Sequence, residues 1–110
     1  MSEPDLNALL EQAREAQSKL QALQRDLAVR SVEGSAGGGM VTAVASGALR
    51  ILEIRIEPSL LASGDQPMIQ DLAAAAVNAA LTNAQRMIQE EMQRASTGLR
   101  LPVLGSDPQR

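Results

Sequence analysis

The chain has 110 residues, 45% of them hydrophobic, and a formal net charge of −3, but it contains no Cys, His, Phe, Tyr or Trp. These numbers predict a single domain and exclude disulfides, Ser-His-Asp catalysis and the usual nitrogen and sulfur ligands of metals. An aliphatic, alanine-rich chain of this size buries little surface alone, so we expect it to self-associate.

Localisation and charge limit the partners further. No apolar run approaches the roughly 18 residues of a membrane span, and the N-terminus lacks the basic and apolar segments of a signal peptide. We therefore expect a cytoplasmic protein with no membrane partner. A net acidic balance disfavours nucleic acid, because affinity there comes largely from neutralised phosphates, so any DNA site must be a local basic patch.

The spacing of apolar residues predicts a helix over about residues 4–27. They recur at alternating intervals of three and four, which places them in one heptad stripe. Its members are Leu6, Leu9, Ala13, Ala16, Leu20, Leu23 and Leu27. Ser2, followed three residues later by Asp5, resembles a capping box at the helix start. The stripe packs either on another helix or on the chain's own sheet, and the pattern leaves both open.

Three segments predict a small antiparallel meander: a short β-branched stretch at 29–33, then residues 40–46, then residues 49–57. Hydrophobic and charged residues alternate along the third segment. Strict alternation places Ile54 and Ile56 toward the core, and Ile51 on the opposite face with the charged side chains.

A glycine-rich run covers residues 34–39 between the first two strands. It lacks the Gly-Lys-Ser/Thr ending of a phosphate-binding loop, and it leads into a strand instead of a helix N-terminus. We therefore interpret it as a connector whose glycines supply positive φ angles, with no nucleotide bound.

A second long helix is predicted over about residues 68–95, with Gly98 as its stop. Its first half is small and apolar on all faces, so one face should cover the sheet and another should meet a second subunit. The expected interface residues are Leu72, Ala76, Val77 and Ala80. We assign residues 1–104 to one domain and 105–110 to a flexible C-terminal tail.

The elements define an α+β fold of order α-β-β-β-α, and four segments resemble the YbaB/EbfC family of bacterial nucleoid-associated proteins. The matching segments are Val32–Gly34 with Ala36–Val41, Ile54–Leu61, Asp71–Ala80 and Thr97–Pro102. The resemblance covers roughly residues 6–102. It implies a tweezer-like homodimer whose N-terminal helices form the arms, double-stranded DNA as partner, a place in the nucleoid and an influence on gene expression.

Four cations are the candidate DNA-binding residues. Arg14, Lys19 and Arg25 lie off the heptad stripe of the first helix, and Arg30 follows that helix. A dimer would present two such sets, which suits phosphate contacts with little base specificity. Two alternatives stay open: these residues balance acidic neighbours on a solvated face, or the heptad helix serves as a protein-interaction module.

Catalysis is not expected. Glu53 and Glu57 project from one face of the third strand, but roughly 13 Å separates them at the usual rise per residue. That separation is too long for a joint carboxylate site. We expect no metal, no cofactor and no small-molecule substrate.

Overall fold

A computed structural model of the chain describes residues 5–99. The elements are α1 (Leu6–Ala28), β1 (Ser31–Ala36), β2 (Val41–Ser46), β3 (Ile51–Ile56), α2 (Pro58–Ser63) and α3 (Gln66–Leu99). The strands form one antiparallel sheet in the order β1-β2-β3. This confirms the predicted α-β-β-β-α fold, with the short α2 added between β3 and α3. In this part of the chain no helix is both long and apolar enough to cross a bilayer. The predicted boundary at 104 and the predicted tail lie outside the described residues.

The first helix projects from the rest of the molecule. Its N-cap is Asp5, whose side chain accepts a hydrogen bond from the backbone N–H of Ala8 at 3.3 Å, whereas Ser2 lies outside the described residues. Of the heptad stripe, Leu27 is buried, Leu23 is half-buried and the other members are exposed. The molecule is accordingly elongated, with extents of 77 × 31 × 17 Å.

The first strand begins and ends later than predicted, because it takes in half of the glycine run. Gly34 lies inside β1, paired with Ala43, and a Cβ there would stand 2.2 Å from the backbone nitrogen of Ala80. The strand therefore needs glycine at this position to approach α3. The turn is confined to Gly37–Met40, and its three glycines have φ angles of 66°, 67° and 96°, as predicted for a connector.

The third strand breaks strict alternation. Ile54 pairs with Ala43, and Ile51 pairs with Ala45. Two residues of β3 therefore lie between these partners, but only one residue of β2 does. This bulge shifts Ile51 onto the sheet face that also holds Ile54. The prediction that placed Ile51 on the opposite face was wrong, since periodicity alone does not reveal a bulge. The bulge region also holds Leu52, which is 59% exposed.

The core lies between one face of the sheet and the first half of α3. Its fully enclosed members are small: Val41, Ala43, Ala45, Ala76, Ala80 and Ala84 are all 0% exposed, and Leu60 is 4% exposed. The third helix packs mainly on β1 and β2 and reaches β3 much less. Ile54 therefore keeps 44% of its surface exposed, although it is on the core face of the sheet as predicted.

The long helix α3 begins near its predicted start and ends later. Asp65 precedes it and accepts a hydrogen bond from the N–H of Met68 at 3.1 Å. The helix continues through Gly98 to Leu99, so Gly98 does not stop it as predicted. A glycine inside a helix is unfavourable by only about 1 kcal/mol relative to alanine, which a long helix tolerates.

We predict that Gly34→Ala destabilises the fold by about 3 kcal/mol, because the new methyl group meets the backbone of α3, which cannot move aside cheaply. Gly38→Ala should lower stability by about 1 kcal/mol, since its φ is positive but the space around it is open. Ser35→Ala, at an exposed position in β1, is the control. Urea unfolding followed by far-ultraviolet circular dichroism measures all three, and equal losses for Gly34 and Gly38 would contradict the packing argument.

Candidate nucleic-acid interface

Two of the four candidate cations share one face of α1. Arg14 and Arg25 lie eleven residues apart, which is about three helical turns, so their side chains leave the helix in the same direction. Ser18 and Gln21 lie between them on that face, and all four residues are exposed. We call these four residues the cationic stripe. No acid lies between the two arginines on this face, although Glu11 precedes Arg14 by three residues, and the stripe lies on the side of the helix away from the apolar stripe.

The other α1 cation has different surroundings. Lys19 lines a groove between the C-terminal halves of α1 and α3, together with Ala16, Leu20, Leu23, Met92, Ala95 and Ser96. We call this the α1–α3 groove. Glu15 precedes Lys19 by one helical turn, so an acid shares its side of the helix. Within residues 5–99, neither Lys19 nor the two arginines of the cationic stripe form an ion pair.

Arg30 is engaged inside the chain. Its guanidinium lies 3.2 Å from the carboxylate of Glu91 on α3, and its backbone carbonyl accepts a hydrogen bond from Gly47 at 3.1 Å. The side chain remains 42% exposed. The structure therefore places three of the four candidates on α1 and joins the fourth to α3.

Glu91 is a residue that sequence reasoning missed. Its side chain is 16% exposed, and it also accepts a hydrogen bond from Arg94 one turn later on α3. Burial raises the pKa of Glu91, but the hydrogen bonds and charges of Arg30 and Arg94 outweigh burial, so its pKa lies below the ordinary 4.5. The spacing of Glu91 and Arg94 was visible in the sequence. The contact with Arg30, far away along the chain, was not.

The outer face of the sheet is not a basic surface. Arg55 lies 2.8 Å from the Glu33 carboxylate and 3.6 Å from that of Glu53, so two acids surround one base. Asn83 of α3 donates a hydrogen bond to the backbone carbonyl of Glu33 at 2.8 Å. These exposed pairs tie the strands and α3 together and leave α1 as the candidate surface for an anionic partner.

The predicted interface residues divide into two pairs. Ala76 and Ala80 are 0% exposed and pack in the chain's own core, whereas Leu72 and Val77 are half-buried and retain surface. A second subunit could therefore touch only the latter pair without opening the fold, and an interface there stays a prediction. Four further large apolar side chains are exposed, on β3, on α2 and at the start of α3: Leu52, Ile54, Leu61 and Met68.

Comparisons with known proteins assign the fold to a family. The family model described as the YbaB/EbfC DNA-binding family matches residues 1–99. The chain belongs to this family. It is 40% identical over 100 residues to a nucleoid-associated protein of Thermoanaerobacter pseudethanolicus, covering 91% of this chain and 90% of that one. It is 41% identical over 100 residues to one of Desulfotalea psychrophila, covering 91% and 94%.

A solved structure supports the fold independently. The uncharacterized protein HP0035 of Helicobacter pylori matches with a TM-score of 0.56 at 19% identity, covering 80% of this chain and 95% of that one. The likeness at this identity concerns the arrangement of helices and strands.

The lowered pKa of Glu91 predicts a pH-dependent contribution to stability. A folded-state pKa below the unfolded value means that the stabilisation is complete above the ordinary 4.5 and is lost as the pH falls through the lowered value. We therefore expect wild type to exceed Glu91→Gln in urea midpoint at neutral pH, with the difference disappearing in acid. Glu90→Gln, at an exposed neighbouring carboxylate, should match wild type throughout. A difference that grows toward low pH would contradict the assignment.

Proposed function

We propose that this chain is a nucleoid-associated protein that binds double-stranded DNA as a homodimer, through phosphate contacts and with little sequence specificity. The DNA-binding family supports the partner, and the names of the relatives support a place in the nucleoid, with influence on its organisation and on gene expression. The proposal includes no catalytic step, cofactor or small-molecule substrate.

The cationic stripe is the observation that supports phosphate binding. Its arginines are about 17 Å apart along α1, so they reach phosphates well separated along one duplex. Both are exposed, and a guanidinium can hold phosphate oxygens in a bidentate manner. Serine and glutamine between them bring no negative charge to the contact. A local stripe of this kind would allow a chain whose net charge is −3 to bind DNA.

The other two candidates contribute less under this proposal. Lys19 faces the α1–α3 groove and shares its side of the helix with Glu15. Arg30 is partly neutralised by Glu91, although 42% of its side chain remains accessible to a phosphate. We therefore rank Arg14 and Arg25 first, with Lys19 and Arg30 as auxiliary contacts.

The homodimer is supported by what the single chain leaves uncovered. Ile54 shares the core face of the sheet but is 44% exposed, because α3 extends little over β3. Leu72 and Val77 add half-buried apolar surface on α3. We propose that the partner subunit covers these three residues and so completes a core that one chain leaves open.

Ile54→Glu tests the dimer. The chain should fold with this change because the site is exposed in the monomer, but a charge without a counter-ion in a dry interface should raise the dimer dissociation constant at least tenfold. Analytical ultracentrifugation at micromolar concentration measures it. Leu10→Glu, which adds the same charge at a 53% exposed leucine of α1, is the matched control. Wild type sedimenting as a monomer, or Ile54→Glu as a dimer, would refute the interface. Ala76→Arg is not a suitable test of the dimer, because Ala76 is fully enclosed and the change would disrupt the chain's own core.

Arg14→Gln with Arg25→Gln tests the DNA site. Affinity for duplex DNA should fall for every sequence tried, and the slope of log K against log salt should flatten by about one unit for each phosphate that the protein no longer binds. The matched control is Arg50→Gln with Arg55→Gln, which removes the same charge from exposed positions at the turn and outer face of the sheet. Fluorescence anisotropy with labelled duplexes measures both.

Two results would overturn the assignment of the site or of the function. Equal losses of affinity from the two double variants would mean that net charge, and not the cationic stripe, decides affinity. Absence of DNA binding by wild type at low salt would favour the second candidate, a protein-interaction module. That candidate is supported by the heptad stripe of α1, where Leu6, Leu9 and Leu20 are 67%, 52% and 43% exposed.

A further inference from the structure

The first helix is attached to the rest of the chain at its C-terminal end. Leu27 is the one buried residue of α1, and it packs against the turn after β2, where a Cβ on Gly47 would stand 2.1 Å from the Leu27 carbonyl oxygen. All residues of α1 before Leu23 are exposed. The direction of the whole helix is therefore decided within its last turns.

A polar contact links that end of α1 to α3. Arg30, two residues beyond the helix, reaches across to Glu91 at 3.2 Å, in the second half of α3. Among the acidic residues at positions 5–96, Glu91 is the one that is not exposed. Further along, residues of both helices line the α1–α3 groove, whose surface is mostly apolar. Glu91 directly precedes Met92, a lining residue of the groove, so the ion pair lies next to the groove.

We propose that the Arg30–Glu91 ion pair sets the angle between α1 and α3, which makes Glu91 a positioning residue for the cationic stripe. Leu27 and the hydrogen bond from the Gly47 N–H to the Arg30 carbonyl hold the end of α1 against the turn after β2, and neither contact reaches α3. Arg30 is tied to the helix end, because its N–H donates a hydrogen bond to the Leu27 carbonyl at 3.1 Å. The ion pair therefore adds a contact from that end of α1 to α3, which restrains the tilt of one helix relative to the other. Its effect on DNA rests on the proposed function, whereas its effect on the angle does not.

The length of α1 makes the angle matter. From Ala28 back to Arg14 the helix runs about 21 Å, so a tilt of about 10° displaces Arg14 by about 4 Å. That displacement exceeds the roughly 3 Å length of a hydrogen bond between a guanidinium and a phosphate. Removing the ion pair should therefore weaken DNA binding although Glu91 is itself an acid, a class of residue whose removal ordinarily favours DNA binding.

The experiment measures the angle directly. Since the chain has no cysteine, Gln12→Cys on α1 and Gln89→Cys on α3 provide two exposed sites for spin labels, and dilution with unlabelled chain suppresses distances between subunits. In Glu91→Gln and Arg30→Gln the interlabel distance should shift or broaden by several ångströms, at unchanged helix content by circular dichroism. The double variant should change no more than either single variant, because both remove the same pair.

Arg94→Gln is the matched control. It takes a guanidinium from the same carboxylate, but the contact lies within α3 and does not reach α1. It should leave the distance unchanged. Distances that stay at the wild-type value in Glu91→Gln, or that change equally in Arg94→Gln, would overturn the proposal.

A DNA measurement separates this proposal from the proposed function. Glu91→Gln should bind duplex DNA at least threefold more weakly than wild type, while Glu90→Gln, with the same change of charge at an exposed site, should not. If the distance shifts in Glu91→Gln but affinity matches the Glu90→Gln value, the role of Glu91 in positioning the stripe is refuted. If wild type binds no DNA at all, the proposed function fails, and the distances still decide whether the ion pair sets the angle.

Discussion

The close approach of the β1 backbone to α3 is the constraint on which the rest of the structure depends. A chain without aromatic residues cannot fill space between a sheet and a helix with large side chains, so the backbones themselves come together. Gly34 permits this, since any Cβ would collide with α3 at Ala80. Opposite it, Ala76 and Ala84 are fully enclosed against the sheet. Small side chains therefore fill the space between sheet and helix, and the alanine-rich segment of α3 forms one side of the core.

A core this thin covers little area. The third helix lies over β1 and β2 and leaves β3 partly bare, and α1 has a buried contact at Leu27 alone. The apolar residues that remain exposed are consequences of that geometry. They are available to a second subunit on the β3 side and to a further partner along α1. The molecule is also elongated, because the apolar stripe of α1 stays largely exposed and does not pack on the body.

Patterns within a few residues predicted the helices and strands. They did not predict the features that depend on contacts between residues far apart along the chain. The heptad stripe predicted α1, and apolar composition predicted α3, because such patterns act within a few residues. The sequence places Gly34 in the connector over 34–39, because the backbone of Ala80 that requires glycine at this position lies far along the chain. The bulge in β3 depends on its pairing with β2. Likewise, the sequence around Arg30 contains nothing that predicts a partner for it, whereas in the folded chain it forms an ion pair with Glu91.

The candidate site shows how an acidic chain can present a basic surface. Acids and bases are nearly balanced in number, so what matters is where the fold places each of them. On the sheet, Arg55 is held between Glu33 and Glu53, and at the base of α1 the Glu91 carboxylate joins Arg30 and Arg94. These pairs neutralise charge within the chain. The cationic stripe escapes such pairing because α1 projects beyond the reach of the acids on the sheet and on α3. The same projection that leaves the apolar stripe of α1 exposed therefore also keeps its arginines available to a phosphate backbone.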